Sequence, residues 1–340
     1  ALPDGDGESA DTETEAEAEA EADPNALPFA PAGPDAAPTP LEVGPFPVGV
    51  KTFDFYDEER VDTTSKKPRH LRTEVWYPAV QAAKDMAKDN LDMWIDAKDV
   101  DLGDKRAAFD NAHTKGLITP IPTGAIRDAE IDRGHGPYPV VVFSHGANGI
   151  RWQSIFYTVF LASHGYIVIS PDHEGNTLWN IIRDGYDTGS VVGSAKPRLL
   201  DVSYLLDVFF AKNADTADFF HKTMNTKDVG ISGHSFGGLI TIAAPCKDKR
   251  FKAGVAHSPQ VEFGELLGGC KYDNDKKKYV FETPYMELGG TSDKTLPWHD
   301  QYCGYRGIEA PEQYLLEVLK AGHFTFSDIC QLDLTTMATE

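Results

Sequence analysis

The residues Gly233-His234-Ser235-Phe236-Gly237 form a Gly-x-Ser-x-Gly run in a setting that makes the serine chemical. The apolar Val229-Gly230-Ile231 leads into it and the helix-forming Leu239-Ile240-Thr241-Ile242-Ala243-Ala244 leaves it, which predicts strand, sharp turn and helix. A turn that tight forces the serine into a strained backbone conformation and leaves no room for side chains at the flanking glycines. It lifts the Ser235 hydroxyl above the sheet edge and leaves the Phe236 amide at a helix start, aimed where an oxyanion would form.

A serine hydroxyl is a weak nucleophile at neutral pH and needs a base, which in turn needs an orienting acid. On a strand–turn–helix elbow the chain order is Ser, then Asp or Glu, then His. Three histidines follow Ser235: His257, His299 and His323. His257 falls in an expected strand, and His299 comes too early to leave room for the last strand. His323 lies in the loop after that strand, where the base belongs. The acid should sit just past the preceding strand, and Gly289-Gly290-Thr291-Ser292-Asp293 supplies strand end, tight turn and carboxylate. Asp300 and Asp328 are the competitors. The first lies well beyond the strand end; the second follows the histidine and reads as a cap near a C-terminal helix. A second oxyanion donor is expected from the loop Ser144-His145-Gly146-Ala147-Asn148-Gly149, at the amide of Ala147. Trp152, Trp179 and Trp298 fall in loops near this site. They either wall an acyl or aromatic pocket or pack as ordinary surface aromatics.

These groups need a sheet to converge on. Val48–Phe55 and Leu71–Pro78 alternate like half-buried antiparallel strands, and residues 80–115 read as a polar helical excursion. Tyr138–Ser144 is a continuous apolar run of the kind found in central parallel strands. Tyr166–Ser170, the run before Ser235, Lys252–His257, Tyr285–Gly289 and Tyr314–Val318 repeat the strand signature. Helices are expected over 152–164, 197–212 and after Ser235. In the second, Leu199, Leu200, Val202, Leu205, Leu206 and Phe209 recur at 3–4 spacing. Alternating strands and helices specify a mostly parallel α/β sheet flanked by helices.

The net charge of −21 is largely a property of one end: residues 1–40 hold eleven Asp and Glu and no Lys or Arg, leaving about −10 for the rest. That sign argues against nucleic acid as a partner. Residues 1–42, Glu/Ala-rich and then Pro/Ala-rich, read as a disordered acidic tail or linker, and 43–340 as one catalytic domain. No stretch has the length of a membrane span. The chain starts at Ala1 rather than Met, so a processed or trimmed chain is expected, and a secreted, periplasmic or surface-tethered bacterial location. A monomer is expected. Cys246, Cys270, Cys303 and Cys330 match no zinc spacing and read either as buried free thiols or, in an exported protein, as two disulfides. Cys303 and Cys330 follow the acid and base loops, which must converge, so a Cys303–Cys330 bridge is expected and Cys246–Cys270 as the other.

Four segments occur in a fixed order: Ser144–Gly149, Leu161-Ala162-Ser163-His164-Gly165-Tyr166-Ile167-Val168, Pro171-Asp172-His173-Glu174-Gly175-Asn176-Thr177 and Gly233–Gly238. So arranged, they resemble the platelet-activating-factor acetylhydrolase-like α/β-hydrolases, including bacterial proteins labelled predicted dienelactone hydrolases. The resemblance runs from about Pro45 to His323. It implies a serine carboxylic-ester hydrolase with Ser235, Asp293 and His323 as triad and the Ala147 and Phe236 amides as oxyanion hole. True dienelactone hydrolases look to use a cysteine nucleophile, unlike this chain. The His-Gly and Leu-Ala-Ser-His-Gly segments are also similar to bacterial cutinases. Those usually carry a tryptophan after a particular proline, where Pro259 here precedes Gln260, a candidate substrate contact. The implied substrate is a small-molecule, lipid-like or polymer ester, with no metal or organic cofactor. A polyester-cleaving, cutinase-like enzyme is the alternative. A binding protein on an inactive hydrolase fold would lack a triad member, and a prolyl-oligopeptidase-like peptidase would need a gating domain that residues 1–140 are too short to form.

Overall fold

The computed structural model describes residues 26–30, 42–61, 66–260 and 269–329. Nine strands form the main sheet: β1 Val48–Val61, β2 Pro68–Pro78, β3 Ile126–Arg127, β4 Tyr138–Ser144, β5 Ile167–Pro171, β6 Met224–His234, β7 Phe251–His257, β8 Tyr285–Gly290 and β9 Gln313–Val318. Their spatial order is β9-β8-β7-β6-β4-β5-β2-β1-β3. From β9 through β5 every neighbour pair is parallel, while β2 runs antiparallel to both β5 and β1. The helices of seven residues or more are α1 Arg106–Thr114, α2 Ile155–Ser163, α3 Leu178–Asp184, α4 Ala195–Ala214, α5 Phe236–Lys247 and α6 Trp298–Arg306.

Side chains alternate across a strand, so each central strand feeds two cores. Val140 and Val142 of β4 and Ile167 and Ile169 of β5 point into a layer closed by α4 and α5, through Leu199, Val202, Leu205, Phe209, Ile240 and Ile242. Phe143, Val168 and Trp76 point the other way, into a layer closed by α2 and α3 and by the 91–121 excursion. These runs are apolar on both faces because both faces are covered.

The excursion departs from its expected helix. Residues 80–115 are helical only in pieces (Gln81–Ala83, Met93–Asp96, Gly103–Lys105 and α1), and Asn90–Leu91 pairs with Ile121–Pro122. Its apolar residues Leu91, Met93, Ala97, Leu102 and Phe109 lack a 3–4 period, and each plugs the second core from an irregular backbone. The tail assigned to 1–42 lies outside the described residues except for 26–30 and residue 42, and within the first of these Leu27 packs against the main core. Cys246 and Cys270 form a disulfide. Cys303 is instead a free, exposed thiol on α6, 3.6 Å from His299 Nε2, and Cys330 lies outside the described residues. Convergence of the Asp293 and His323 loops thus does not bring that cysteine into a bridge. Among the described residues no helix is long and apolar enough to cross a membrane.

Candidate active site

Five adjacent parallel strands, β4, β6, β7, β8 and β9, end on the same side of the sheet, and the loops after them carry the candidate residues, where ligands of such sheets collect. The elbow after β6 gives Ser235 φ 55° and ψ −114°, a left-handed conformation that a non-glycine residue adopts only under constraint. The constraint is visible at its neighbours. A Cβ on Gly237 would lie 1.9 Å from the Ser144 carbonyl oxygen, and one on Gly233 would lie 2.4 Å from Gly237 O. The Ser235 amide donates to His257 O at 2.9 Å, which ties the elbow to the end of β7. Phe236 opens α5, so its amide has no carbonyl four residues back within the helix. Ala147 sits half-buried on the β4 loop, and its amide makes no hydrogen bond among the described residues.

Past β8, Asp293 is buried and its carboxylate collects four donors. Oδ1 accepts from the Thr295 and Leu296 amides at 2.9 and 2.8 Å. Oδ2 accepts from Gln301 Nε2 at 3.2 Å and faces His323 Nδ1 at 2.7 Å. His323 opens a short 3-10 turn after β9. This contact fixes the tautomer with hydrogen on Nδ1 and leaves Nε2 as the basic nitrogen. Asp300 lies exposed in the first turn of α6. Asp328 accepts the Phe156 amide at 3.0 Å, so it does cap a helix, but the helix is α2, 172 residues earlier in the chain.

A buried relay joins these loops. Gln153 Oε1 accepts from the Gly146 amide at 3.0 Å, and its Nε2 donates to His234 Nδ1 at 2.8 Å. His234 Nε2 then donates to the His323 carbonyl at 2.9 Å. Burial, with His323 beside it, pulls the His234 imidazole down to about 3, so this histidine is a neutral spacer. Beneath the β4 loop, His173 links Ser144 Oγ (2.9 Å) to Asp201 (2.8 Å), and Arg69 grips Asp201 through two nitrogens at 2.6 Å. Arg198, on α4, donates to the carbonyls of His145 at 2.5 Å and Gly146 at 3.0 Å. Neither Gln153 nor Arg198 is suggested by the sequence motifs. The only signal was a charged residue within the apolar period of α4.

The proposed substrate contacts divide. Gln260 stands beside the nucleophile, its amide donating to Ser235 O at 3.0 Å. Trp298 starts α6 with its ring half-buried over Gly289. Trp152 and Trp179, by contrast, are 2% and 6% exposed and belong to the second core, with Trp179 edge-on to Phe109. They are core residues rather than pocket walls, because the turn before α2 and the first turn of α3 direct them into the second core. Clefts beside the Cys246–Cys270 bridge and beside Arg72, Arg127 and Arg151 contain none of the candidate residues. Among the described residues no group of three or more His, Cys, Asp or Glu is arranged to hold a metal ion.

Comparison with known proteins points the same way as the elbow. The profile of the platelet-activating factor acetylhydrolase, isoform II, family matches residues 34–181, and that of the prolyl oligopeptidase family matches 214–305. A probable 1-alkyl-2-acetylglycerophosphocholine esterase from Arthroderma benhamiae is 28% identical over 231 residues, covering 64% of this chain and 57% of that one. The platelet-activating factor acetylhydrolase of Cavia porcellus is 28% identical over 156 residues, 36% of this chain and 35% of its own. The chain thus spans about half the length, or less, of these curated relatives. A ferulic acid esterase from Streptomyces cinnamoneus superposes with a TM-score of 0.58 at 21% identity, over 87% of this chain and 79% of that chain. That likeness shows the shared fold: an α/β-hydrolase sheet flanked by helices. Fold, elbow and sequence matches together support a platelet-activating-factor-acetylhydrolase-like α/β hydrolase.

Proposed function

We propose that this chain is a serine carboxylic-ester hydrolase that works through an acyl-enzyme on short-acyl, lipid-like esters. The carrying observation is the strained Ser235 elbow on the same sheet edge as the 2.7 Å Asp293–His323 pair. In this reading Ser235 Oγ attacks the ester carbonyl carbon while His323 Nε2 takes its proton. Asp293 holds the imidazole and stabilises the imidazolium. The Ala147 and Phe236 amides hold the tetrahedral oxyanion, each such donor being worth roughly 3 kcal/mol. His323 returns the proton to the leaving alkoxide. Water, deprotonated by the same histidine, then cleaves the Ser235 ester and frees the acid. The named relatives favour an acetyl group on a glycerophospholipid-like alcohol.

Two finer readings belong with this one. The chain is organised as a 43–340 catalytic domain with a 1–42 tail, and it is exported, a reading supported by the Cys246–Cys270 bridge. The prolyl oligopeptidase match makes peptide hydrolysis the second reaction to test, and polyester cleavage the third. A p-nitrophenyl ester series from acetate to palmitate, an acetylated glycerophosphocholine, a peptide amide and polyester film should be offered to wild type and Ser235→Ala. The expected result is turnover highest on acetyl esters and abolished by Ser235→Ala. Ester turnover that survives in Ser235→Ala, or peptide turnover exceeding ester turnover, overturns the proposal.

A further inference from the structure

We infer that Arg198 is a positioning residue for the oxyanion hole, holding the Gly146–Ala147 peptide by its carbonyl with a positive charge behind it. This rests on the hydrolase reading above and adds a residue that the triad does not require. The Gly146 C=O and the Ala147 N–H belong to one peptide unit. Gly136–Pro137 is the cis peptide among the described residues, so this unit is trans and its two dipolar groups point in opposite directions. Whatever grips the carbonyl on one side therefore aims the N–H toward the other. Gly146 O accepts from Arg198 Nη2 at 3.0 Å, from His145 Nδ1 at 2.7 Å and from the Gly149 amide at 3.1 Å. Three donors on one carbonyl draw electron density from the peptide and make its N–H a stronger donor.

Arg198 is suited to this for three reasons. It is fully buried, and among the described residues it makes no direct ion pair, the nearby Asp201 being held instead by Arg69, Arg60 and His173, so its charge is not cancelled at contact in a low-dielectric setting. Its other contacts are the His145 carbonyl and the carbonyl and side-chain oxygens of Asn176, which lock the guanidinium in plane behind the loop. Its guanidinium carbon also lies 5.0 Å from the centre of the Phe236 ring, the residue that supplies the other proposed amide. One side chain thus touches both arms of the hole. Gln153 holds the preceding peptide by its N–H, so the loop is pinned from two sides.

A residue that only satisfied buried carbonyls would affect folding and every ligand alike. A positioning role is selective for the oxyanion. The test compares wild type, Arg198→Met and Arg198→Lys by kcat and KM on an acetyl ester. Alongside, inhibition is measured with a trifluoromethyl ketone, which adds to the serine as an oxyanion, and with the matching methyl ketone, which binds as ground state. Arg198→Met should lose roughly a hundredfold in kcat, the scale of one oxyanion donor, with KM within about threefold. Trifluoromethyl ketone affinity should fall in parallel while methyl ketone affinity stays unchanged. Arg198→Lys keeps the charge but cannot reach all its acceptors at once, and should lose about tenfold with the same selectivity. Should Arg198→Met not fold, the lysine variant and its two ketones decide alone. Equal losses for both ketones, or no loss, overturn the inference. Ser235→Ala separates the failures. If it retains turnover, the hydrolase reading itself is wrong; if it is inactive while a folded Arg198 variant works normally, only this inference falls.

Discussion

Arg151 and Arg198 are both essentially inaccessible to solvent, yet they are partnered in opposite ways. Arg151 binds three carboxylates: Glu74 at 3.0 Å, Asp96 at 2.5 Å and Asp172 at 2.9 Å. Burial works against its charge, but Asp96, Asp172 and Glu74 outweigh burial and raise its pKa well above the ordinary value. The cost falls on a partner instead. Burial pushes Asp172 up to about 6, with Asp96 adding to the rise and Arg151 opposing it. Among the described residues Arg198 bonds to no carboxylate: it donates to carbonyl oxygens and an amide oxygen, lies 3.4 Å from His145 Nδ1 and sits over the Phe236 ring. Burial pulls it down to about 9, with Asp201 opposing and Arg69 adding to the fall, so it is still charged at neutral pH. Its field, after burial, is the next cause keeping His145 and His173 neutral. A neutralised buried arginine fastens segments together: β2, the Met93–Asp96 turn, the 151–154 turn and the end of β5. An unneutralised one keeps a field to apply elsewhere. The first arrangement belongs to the fold and the second to chemistry.

That contrast is broken most easily at its chemical end. Replacing the triad acid by its amide favours the wrong histidine tautomer, which in a related triad costs about 10⁴ in kcat. Asp293→Asn should therefore lose at least a hundredfold in kcat with little change in Tm, while exposed Asp300→Asn stays within about twofold. Near-normal turnover in Asp293→Asn, measured by steady-state kinetics on an acetyl ester, would remove this loop from the chemistry altogether. The fold end should behave in the opposite way. Arg151→Met leaves the buried Asp172 without a cation, while Glu74 keeps Arg127 at 2.7 Å and Asp96 keeps Arg72 at 3.5 Å, and breaking such a cluster costs about 3–5 kcal/mol. Urea unfolding should show that loss, with the kcat of the folded fraction within about threefold. A stable Arg151→Met protein with kcat down a hundredfold would erase the distinction between the two arginines.

How far the sequence discloses this arrangement depends on whether a feature is local. The Ser235 elbow is legible because strand, glycines and helix start lie within fifteen residues, and the central strands because runs buried on both faces are apolar throughout. His323 and Asp293 could be named from topology, since a turn after a strand has few residues to offer. The Arg151 cluster leaves no such trace, because its four members come from four distant segments with no spacing to read. Arg198 is hidden in another way. In an amphipathic pattern a charged residue reads as solvent-facing, and only packing reveals that this one points inward. The 80–115 excursion misleads for the same reason, its polar composition concealing Leu91, Met93, Leu102 and Phe109, which plug the second core. The expected Cys303–Cys330 bridge assumed that converging loops bring their cysteines together, whereas α6 holds Cys303 outward.

Acid should act on the site's side of the molecule. His257, beneath the Ser235 elbow, is pulled down to about 4 by burial, and among the described residues its Nδ1 has no hydrogen-bond partner. Its folded pKa lies below the unfolded value near 6.5, so the unfolded chain binds the proton first. Stability is then lost as pH falls from about 6.5 toward 4. At pH 5 the loss from this group is about 2 kcal/mol relative to pH 7. Asp172 has the opposite sign: with a folded value above the unfolded one, its ionisation costs stability as pH rises from about 4 to 6. His257→Phe, which keeps the ring among Phe143, Tyr157 and Phe326, should reduce the drop in unfolding free energy between pH 7 and pH 5 by about 2 kcal/mol. Parallel pH profiles for wild type and variant would show that another group governs acid sensitivity.

The smallest effect belongs to Asp328, which serves neither arginine and joins the base loop to a helix. The residue preceding α2, Ser154, does not cap it; its hydroxyl donates to Phe326 O at 3.0 Å. Asp328 fills that place from the far end of the chain, its carboxylate accepting the Phe156 amide at 3.0 Å while its own amide donates to Gln153 O at 2.7 Å. A carboxylate there both satisfies an orphan donor and complements the positive end of the helix. Asp328→Ala should cost about 1 kcal/mol in urea unfolding. Asp328→Asn, which keeps an acceptor and gives up the charge, should cost about half that. Because Gln153 also grips Gly146, the alanine variant should lower kcat slightly, by no more than about threefold, and the asparagine variant less. Equal stability losses in the two variants would assign the cap to charge rather than to the hydrogen bond. A kcat loss above tenfold in a stable Asp328→Ala protein would place Asp328 among the residues that hold the chemistry and would move the boundary drawn between the two arginines.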